Sequence, residues 1–117
     1  MSNLPLHNVT ILQLIPSLES GGAERSCIDV TAAIVKAGGK ALVATSGGRW
    51  SAEVIRAGGT VISLPLKSKN PFTLWRNARR MEDIIRQHRV SLVHARSRAP
   101  AWSGYWAARA CGVPFMT

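Results

Sequence analysis

The sequence predicts an α/β fold, a parallel sheet with helices on both faces. Short apolar runs alternate with longer amphipathic stretches along the whole chain, and glycines follow several of the amphipathic stretches. This alternation is typical of parallel strands joined by helical crossovers. A chain of 117 residues, 46% of them hydrophobic, can build one compact core rather than two.

Five apolar runs are predicted to form the strands. Each is short and is bounded by turn-forming residues. In chain order they are 9–15, 40–45, 60–64, 90–94 and a last run that begins at 114–117.

Four helices are predicted between these strands, at 24–37, 51–57, 71–88 and 99–110. Pro71 and Pro100 stand where a first helical turn tolerates a missing N–H donor, and Ser51 suits a helix start. The glycine pairs at 38–39 and 58–59 and the single Gly112 can supply the left-handed caps that end helices.

In such a sheet the ligand site lies outside the carboxyl ends of the strands, where the strand order reverses. This rule selects four loops, at 16–23, 46–50, 65–70 and 95–99. The loops on the opposite edge are predicted to be simple connectors.

The first of these loops holds two adjacent glycines at the start of a helix. Gly21 and Gly22 would let a ligand approach the backbone, and the free N–H groups of the helix N-terminus suit a phosphate. With Arg25 they are candidate phosphate- or acceptor-binding residues, although a tight turn alone would also explain the glycines. The loop is neither G-x-G-x-x-G nor a Walker loop, which disfavours a dinucleotide enzyme.

The loop after the fourth strand reads His-Ala-Arg-Ser-Arg. His94 is a candidate catalytic base or donor near neutral pH. Arg96, Ser97 and Arg98 are candidates for binding an anion, since two arginines two residues apart can point together. In the alternative interpretation the residues have no functional role: backbone groups form the hydrogen bonds of His94, and both arginines are solvated.

Basic residues are concentrated in the second half of the chain. The whole sequence has 15 Lys and Arg against 6 Asp and Glu, a net charge of +9, and residues 67–117 hold ten basic and two acidic side chains, a net charge of +8. Such asymmetry indicates an anionic partner, whether nucleic acid, membrane lipid or phosphorylated substrate. In the third helix Arg76, Arg79 and Arg80 lie mostly off the apolar stripe and are candidates for contact with anionic lipid, unless they are simply solvated.

Three further sequence patterns exclude some classes of protein. Trp102, Tyr105 and Trp106 have the spacing of one helix face, so we expect them in the core rather than stacked on nucleic acid bases. No apolar stretch approaches the roughly 20 residues of a membrane span, and the N-terminus lacks the features of a secretory signal. We therefore expect a cytoplasmic protein, either away from the membrane or at its inner face. Cys27 and Cys111 are expected to be free thiols, and no metal site is expected.

Three segments in order carry a family resemblance: the stretch 15–25, Ile-Pro-Ser-Leu-Glu-Ser-Gly-Gly-Ala-Glu-Arg; 92–97, Leu-Val-His-Ala-Arg-Ser; and 107–114, Ala-Ala-Arg-Ala-Cys-Gly-Val-Pro. Together they resemble the N-terminal, Rossmann-like domain of the family 4 retaining glycosyltransferases, which have the two-domain GT-B fold. The resemblance covers nearly the whole chain. It implies a nucleotide-diphosphate sugar as co-substrate, no cofactor, and a role for Gly21 and Gly22 near the donor diphosphate.

This chain departs from the family pattern in two places. Where the family often has His-x-His-Ser, Arg96 replaces the second histidine, which suits binding of an acid or phosphate group better than proton transfer. The acidic E-x7-E motif of the C-terminal, donor-binding domain is absent from these 117 residues. The resemblance therefore implies the acceptor-side domain of an enzyme acting on a glycan or lipid-linked acceptor, of the envelope polysaccharide or lipopolysaccharide type, and inactive alone.

Two other classes remain open from the residues themselves. One is a small basic module that binds anions or nucleic acid, although we expect no nucleic acid partner. The other is a free-standing flavodoxin-like domain, but receiver domains carry clustered acidic residues at the strand ends, where this chain has Gly, His and Arg.

Overall fold

The computed structural model describes residues 5–17 and 22–117, without the side chains of residues 22, 23, 98 and 99. The described part contains one parallel five-stranded sheet in the order β3-β2-β1-β4-β5. The strands are β1 Thr10–Leu14, β2 Lys40–Thr45, β3 Thr60–Ser63, β4 Leu92–Ala95 and β5 Phe115–Met116; the helices are α1 Gly22–Lys36, α2 Ser51–Arg56, α3 Pro71–His88 and α4 Arg98–Cys111. The α/β fold is confirmed, with element ends within two residues of those predicted.

Local chemistry explains where the helices begin and end. The side chain of Asn70 accepts a hydrogen bond from the backbone N–H of Phe72 at 2.9 Å and caps α3, while Pro71 occupies the first helical position. Gly112 ends α4 in the left-handed region with φ of 69°. Ser51 is the first residue of α2 rather than its cap, and Trp50 before it makes no capping side-chain bond.

Alternate residues of β1 enter two different layers. Leu12 and Leu14 are fully buried in the larger core, which α3 and α4 cover. Burial of such a leucine contributes about 2 kcal/mol. The opposite face of the sheet packs against α1 and α2 through a smaller cluster: Ile15, Cys27, Val43 and Val54. Helices therefore cover both faces, as predicted.

Helix α4 lies unusually close to the sheet at Gly104. A Cβ atom at this position would collide with a methyl group of Leu14 and lie 3.2 Å from the ring of Phe115. The buried residues of α4 around it are small: Ser103, Ala107 and Ala108. This close approach fixes the position of the helix, and hence of its N-terminus, over β1 and β4.

None of the helices in the described ranges is long and apolar enough to cross a membrane.

Candidate functional site

The order of strand connections reverses between β1 and β4, which lie side by side in the middle of the sheet. Their register pairs Gln13 with His94 and Leu14 with Ala95. The carboxyl ends of both strands therefore open onto one edge, where ligands of parallel α/β sheets bind.

At this edge the guanidinium of Arg96 is held by hydrogen bonds to two side chains of the protein. Its Nε donates a hydrogen bond of 2.9 Å to Oε1 of Gln13, and its Nη1 donates one of 3.1 Å to Oγ of Ser26 on α1. Gln13 is fully buried, and its Nε2 donates in turn to Oγ1 of the buried Thr31 at 3.0 Å. Thr31 donates to the carbonyl of Cys27 at 2.8 Å. The chain of hydrogen bonds fixes the orientation of the arginine.

Among the described residues, only the side chains of Gln13 and Ser26 bond the Arg96 guanidinium, and its other donors face a ligand site. Two of the five N–H donors of an arginine are used by Gln13 and Ser26. Ser97, the residue before α4, makes no side-chain capping bond, and the first turn of α4 has no acidic residue. Arg96 and Ser97 border a concavity of about 410 Å³ together with Ala95, Ala101 and Thr117. Positive charge, a hydroxyl and a helix N-terminus together suit an anionic oxygen group.

His94 lies beside this arrangement on the face of the sheet that carries Gln13. Its imidazole is half-buried and has no hydrogen-bond partner among the described residues. Burial lowers the pKa of His94 below its ordinary value, and the positive charge of Arg96 lowers it further. The neutral imidazole is thus favoured, as a proton acceptor requires. Within the described part of the chain no backbone group bonds the imidazole of His94, and its role as a base stays a prediction.

The other candidate residues at this edge are described unevenly. Gly21 lies outside the described residues. Gly22 is the first residue of α1 and Arg98 the first of α4, but their side chains are not described. Arg25 is exposed on the first turn of α1. Their roles in binding stay predictions.

The three arginines of α3 fall into different surroundings. All are exposed. The guanidinium carbon of Arg79 stands 5.5 Å from the ring centre of Trp75, whereas Arg80 borders a concave surface at the end of β3. Arg76 makes no hydrogen bond or ion pair with the other described residues. Contact of this set with a membrane stays a prediction.

The prediction of a buried aromatic face on α4 is wrong. Trp102 and Trp106 are each 49% exposed and Tyr105 is 43% exposed. Small residues fill the inward face of α4 because the helix lies so close to the sheet, so the bulky rings are turned outward. We call the exposed rings of α3 and α4 the aromatic surface. Trp75, Trp102 and Trp106 border one concavity, Tyr105 lies edge-on to Trp106, and Phe72 precedes Trp75 by three residues on α3.

Both cysteines are unpaired, as predicted, with Cys27 buried and Cys111 half-buried. Burial raises the pKa of each thiol.

Sequence reasoning missed the residues that orient Arg96. Gln13 interrupts an apolar run at a position that the period of two predicts to be buried. A buried amide requires partners, so this interruption was the available signal. Ser26 and Thr31 carry no comparable signal.

The sequence matches the model of Glycosyltransferase Family 4 over residues 20–117. The chain belongs to this family. A glycosyltransferase from Rickettsia africae has a crystal structure that superposes with a TM-score of 0.83 at 38% identity, over 92% of this chain and 28% of that one. This chain thus spans about a quarter of that relative. No protein with a curated description matches the sequence.

More distant structures share the fold alone. MurG of Acinetobacter baumannii matches with a TM-score of 0.73 at 13% identity, over 92% of this chain and 34% of MurG. The C-terminal domain of the PF1911 hydrogenase of Pyrococcus furiosus matches with a TM-score of 0.71 at 14% identity, over 98% of this chain and 94% of that domain. Because the fold occurs in proteins of such different description, function has to be argued from the site.

Proposed function

We propose that this chain is the acceptor-side domain of a glycosyltransferase that moves a sugar from a nucleotide-diphosphate sugar to a glycan or lipid-linked acceptor. The observation that carries the proposal is the oriented guanidinium of Arg96 beside Ser97 and the N-terminus of α4. It lies where β1 and β4 meet, in a chain of Glycosyltransferase Family 4.

The chemistry of sugar transfer fits this arrangement. The leaving diphosphate gains negative charge in the transition state, and preoriented donors that meet this charge lower the barrier. Arg96 has N–H donors left for an anion, and its orientation is set before any ligand arrives. The neutral imidazole of His94 can accept a proton from an acceptor hydroxyl. Gly21 and Gly22 would let the diphosphate approach the backbone. The nucleotide pocket belongs to a second domain in this proposal, and the donor is a co-substrate rather than a cofactor.

The test is sugar transfer from a panel of radiolabelled nucleotide-diphosphate sugars. We would compare this chain with a chimera in which the donor-binding domain of the Rickettsia africae relative follows Thr117. The chimera should transfer sugar, the chain alone should not, and Arg96→Ala in the chimera should lower kcat by about a hundredfold. Transfer by the chain alone would overturn the two-domain proposal. An unchanged rate in the Arg96→Ala chimera would overturn the role of Arg96.

We further propose that the domain works at the cytoplasmic face of a membrane with anionic lipid, on an acceptor of the envelope polysaccharide or lipopolysaccharide type. The aromatic surface supports this, since Phe72 is 79% and Trp75 58% exposed and tryptophan favours the membrane interface. Two arginines border the same surface: Arg79 on α3, over the ring of Trp75, and Arg109 on α4, which donates to the hydroxyl of Tyr105 at 3.1 Å. Each basic residue near an anionic surface contributes about 1 kcal/mol.

Liposome flotation tests this second proposal. Vesicles with anionic lipid should carry the wild type, and Arg76→Ala/Arg79→Ala/Arg80→Ala should reduce the floated fraction. Trp75→Ala/Trp102→Ala should reduce it as well, even at high salt, because apolar contact is not screened. Flotation equal for wild type and both variants would sink the proposal. Salt-sensitive retention by single-stranded DNA with no vesicle binding would instead favour a nucleic-acid-binding module.

A further inference from the structure

A second concave surface lies at the same edge of the sheet, beside β2 and β3. We call it the basic cavity. Its volume is about 750 Å³, and it opens to solvent. Its polar lining consists of three hydroxyl side chains and two cationic ones: Ser46, Ser63, Ser68, Lys67 and Arg80.

The three serines divide into one that builds the wall and two that can donate to a ligand. Ser46 Oγ donates to the carbonyl of Leu64 at 3.2 Å and accepts from the backbone N–H of Lys67 at 3.2 Å. It therefore ties the end of β2 to the loop after β3. Ser68 accepts from the N–H of Asn70 at 3.2 Å, which leaves its own proton free. The hydroxyl of Ser63 has no partner among the residues described.

Buried contacts hold the loop that carries Lys67 in position. Nδ2 of the buried Asn77 on α3 donates to the carbonyl of Pro65 at 3.2 Å. Leu66 is 1% exposed and belongs to the larger core. The backbone of this loop is thus held in place before a ligand binds, which lowers the entropic cost of binding.

The described charged side chains that line the basic cavity, Lys67 and Arg80, are both positive. Among the described residues that border the cavity no side chain is acidic. No described carboxylate forms an ion pair with Arg80; the nearby Glu82 faces Arg86 at 3.6 Å instead. Two cations and two free hydroxyl donors around one concavity are the groups that bind a phosphate.

We propose that the basic cavity binds a phosphate group of the acceptor, with Lys67 and Arg80 providing charge and Ser63 and Ser68 donating hydrogen bonds. That the phosphate belongs to the acceptor rests on the function proposed above. Neighbouring strands lie about 4.8 Å apart, and three such steps separate β3 from β4. The end of β3 thus lies about 14 Å across the sheet from the end of β4, which Arg96 follows. A phosphate in the cavity is therefore separated from the leaving diphosphate, and the cavity selects acceptors that carry a distal phosphate ester.

The test is an NMR titration of this isotope-labelled chain with glucose 6-phosphate, inorganic phosphate and glucose. Glucose 6-phosphate should shift the backbone amides of residues 63, 64 and 66–68, and glucose should not. Lys67→Ala and Arg80→Ala should each weaken binding by about tenfold, the loss of one charge-assisted hydrogen bond. Arg79→Ala is the matched control, because it removes the same charge from the residue that precedes Arg80 on α3. It should leave binding unchanged.

The outcomes separate this inference from the proposed enzyme function, because the titration needs neither a donor nor a second domain. Shifts confined to residues 95–98, no shifts, or equal losses in Arg79→Ala and Arg80→Ala would overturn the phosphate site, whatever the chimera does. Tighter binding of glucose 6-phosphate than of inorganic phosphate would support an acceptor ester. Equal binding of the two would overturn that assignment.

Discussion

Nε of Arg96 donates a 2.9 Å hydrogen bond to Oε1 of Gln13, a residue with no exposed surface in the middle of the central strand. The most polar position of β1 thereby holds the cation at the mouth of the site. Arg96 follows β4, and 83 residues separate the two partners in sequence. The sheet order makes the contact possible.

Gln13→Met should remove this contact and leave Arg96 Nε without its partner. A hydrogen bond to a charged group contributes about 2 kcal/mol, so the free energy of unfolding should fall by about that amount. Urea denaturation measures it. Ser26→Ala, which removes the more exposed bond to the same guanidinium, should cost about 0.5 kcal/mol or less. Equal losses in the two variants would mean that Gln13 does not hold Arg96 preferentially.

His94 should make the stability of the domain depend on pH. Because its pKa is lowered in the folded chain, the unfolded chain binds more protons below about pH 6.5. This part of the stability is fully present above that pH and is lost as the pH falls toward the folded-state pKa. Urea midpoints between about pH 8 and pH 5 should fall less in His94→Gln than in wild type. His7→Gln, at an exposed histidine, is the control; a slope unchanged by His94→Gln would contradict the assignment.

Gly104→Val should lower the free energy of unfolding by about 2 kcal/mol, because the added side chain would collide with Leu14 and crowd Phe115 in the packed core. Thermal or urea unfolding would report the loss. Ala110→Val introduces the same side chain at an exposed position of the same helix and should cost well under half as much. A neutral Gly104→Val would show that α4 can move away from β1.

The four tryptophans should differ in access to solvent. Trp75, Trp102 and Trp106 are about half exposed or more, whereas Trp50 packs against the smaller core with its Nε1 buried. Acrylamide should therefore quench a variant that retains only Trp75 several-fold more strongly than one that retains only Trp50. Similar quenching constants for the two would contradict the outward position of the aromatic surface.

Much of the fold was predictable because hydrophobic period and capping chemistry act locally. The alternation of apolar runs and helices, Pro71 at the start of α3 and Gly112 at the end of α4 all reflect such signals. The placement of His94 and Arg96 at the ligand edge of the sheet followed from a general rule on parallel sheets.

The remaining features depend on tertiary contacts. The outward position of Trp102 and Trp106 follows from the close approach at Gly104, which no helical period encodes. The partners of Arg96 lie on β1 and α1, far away in sequence. The basic cavity combines the ends of two strands, a loop and Arg80 of α3, so its members cannot be grouped by spacing.

Arg79 and Arg80 are consecutive on α3, and successive helical side chains point about 100° apart. The first stacks on the aromatic surface and the second borders the basic cavity. One rigid turn of helix, rather than a flexible loop, therefore sets the offset between the two surfaces. A lipid-linked acceptor would then be met at a fixed height above the bilayer, so the length of its polar segment would decide whether its phosphate reaches the cavity.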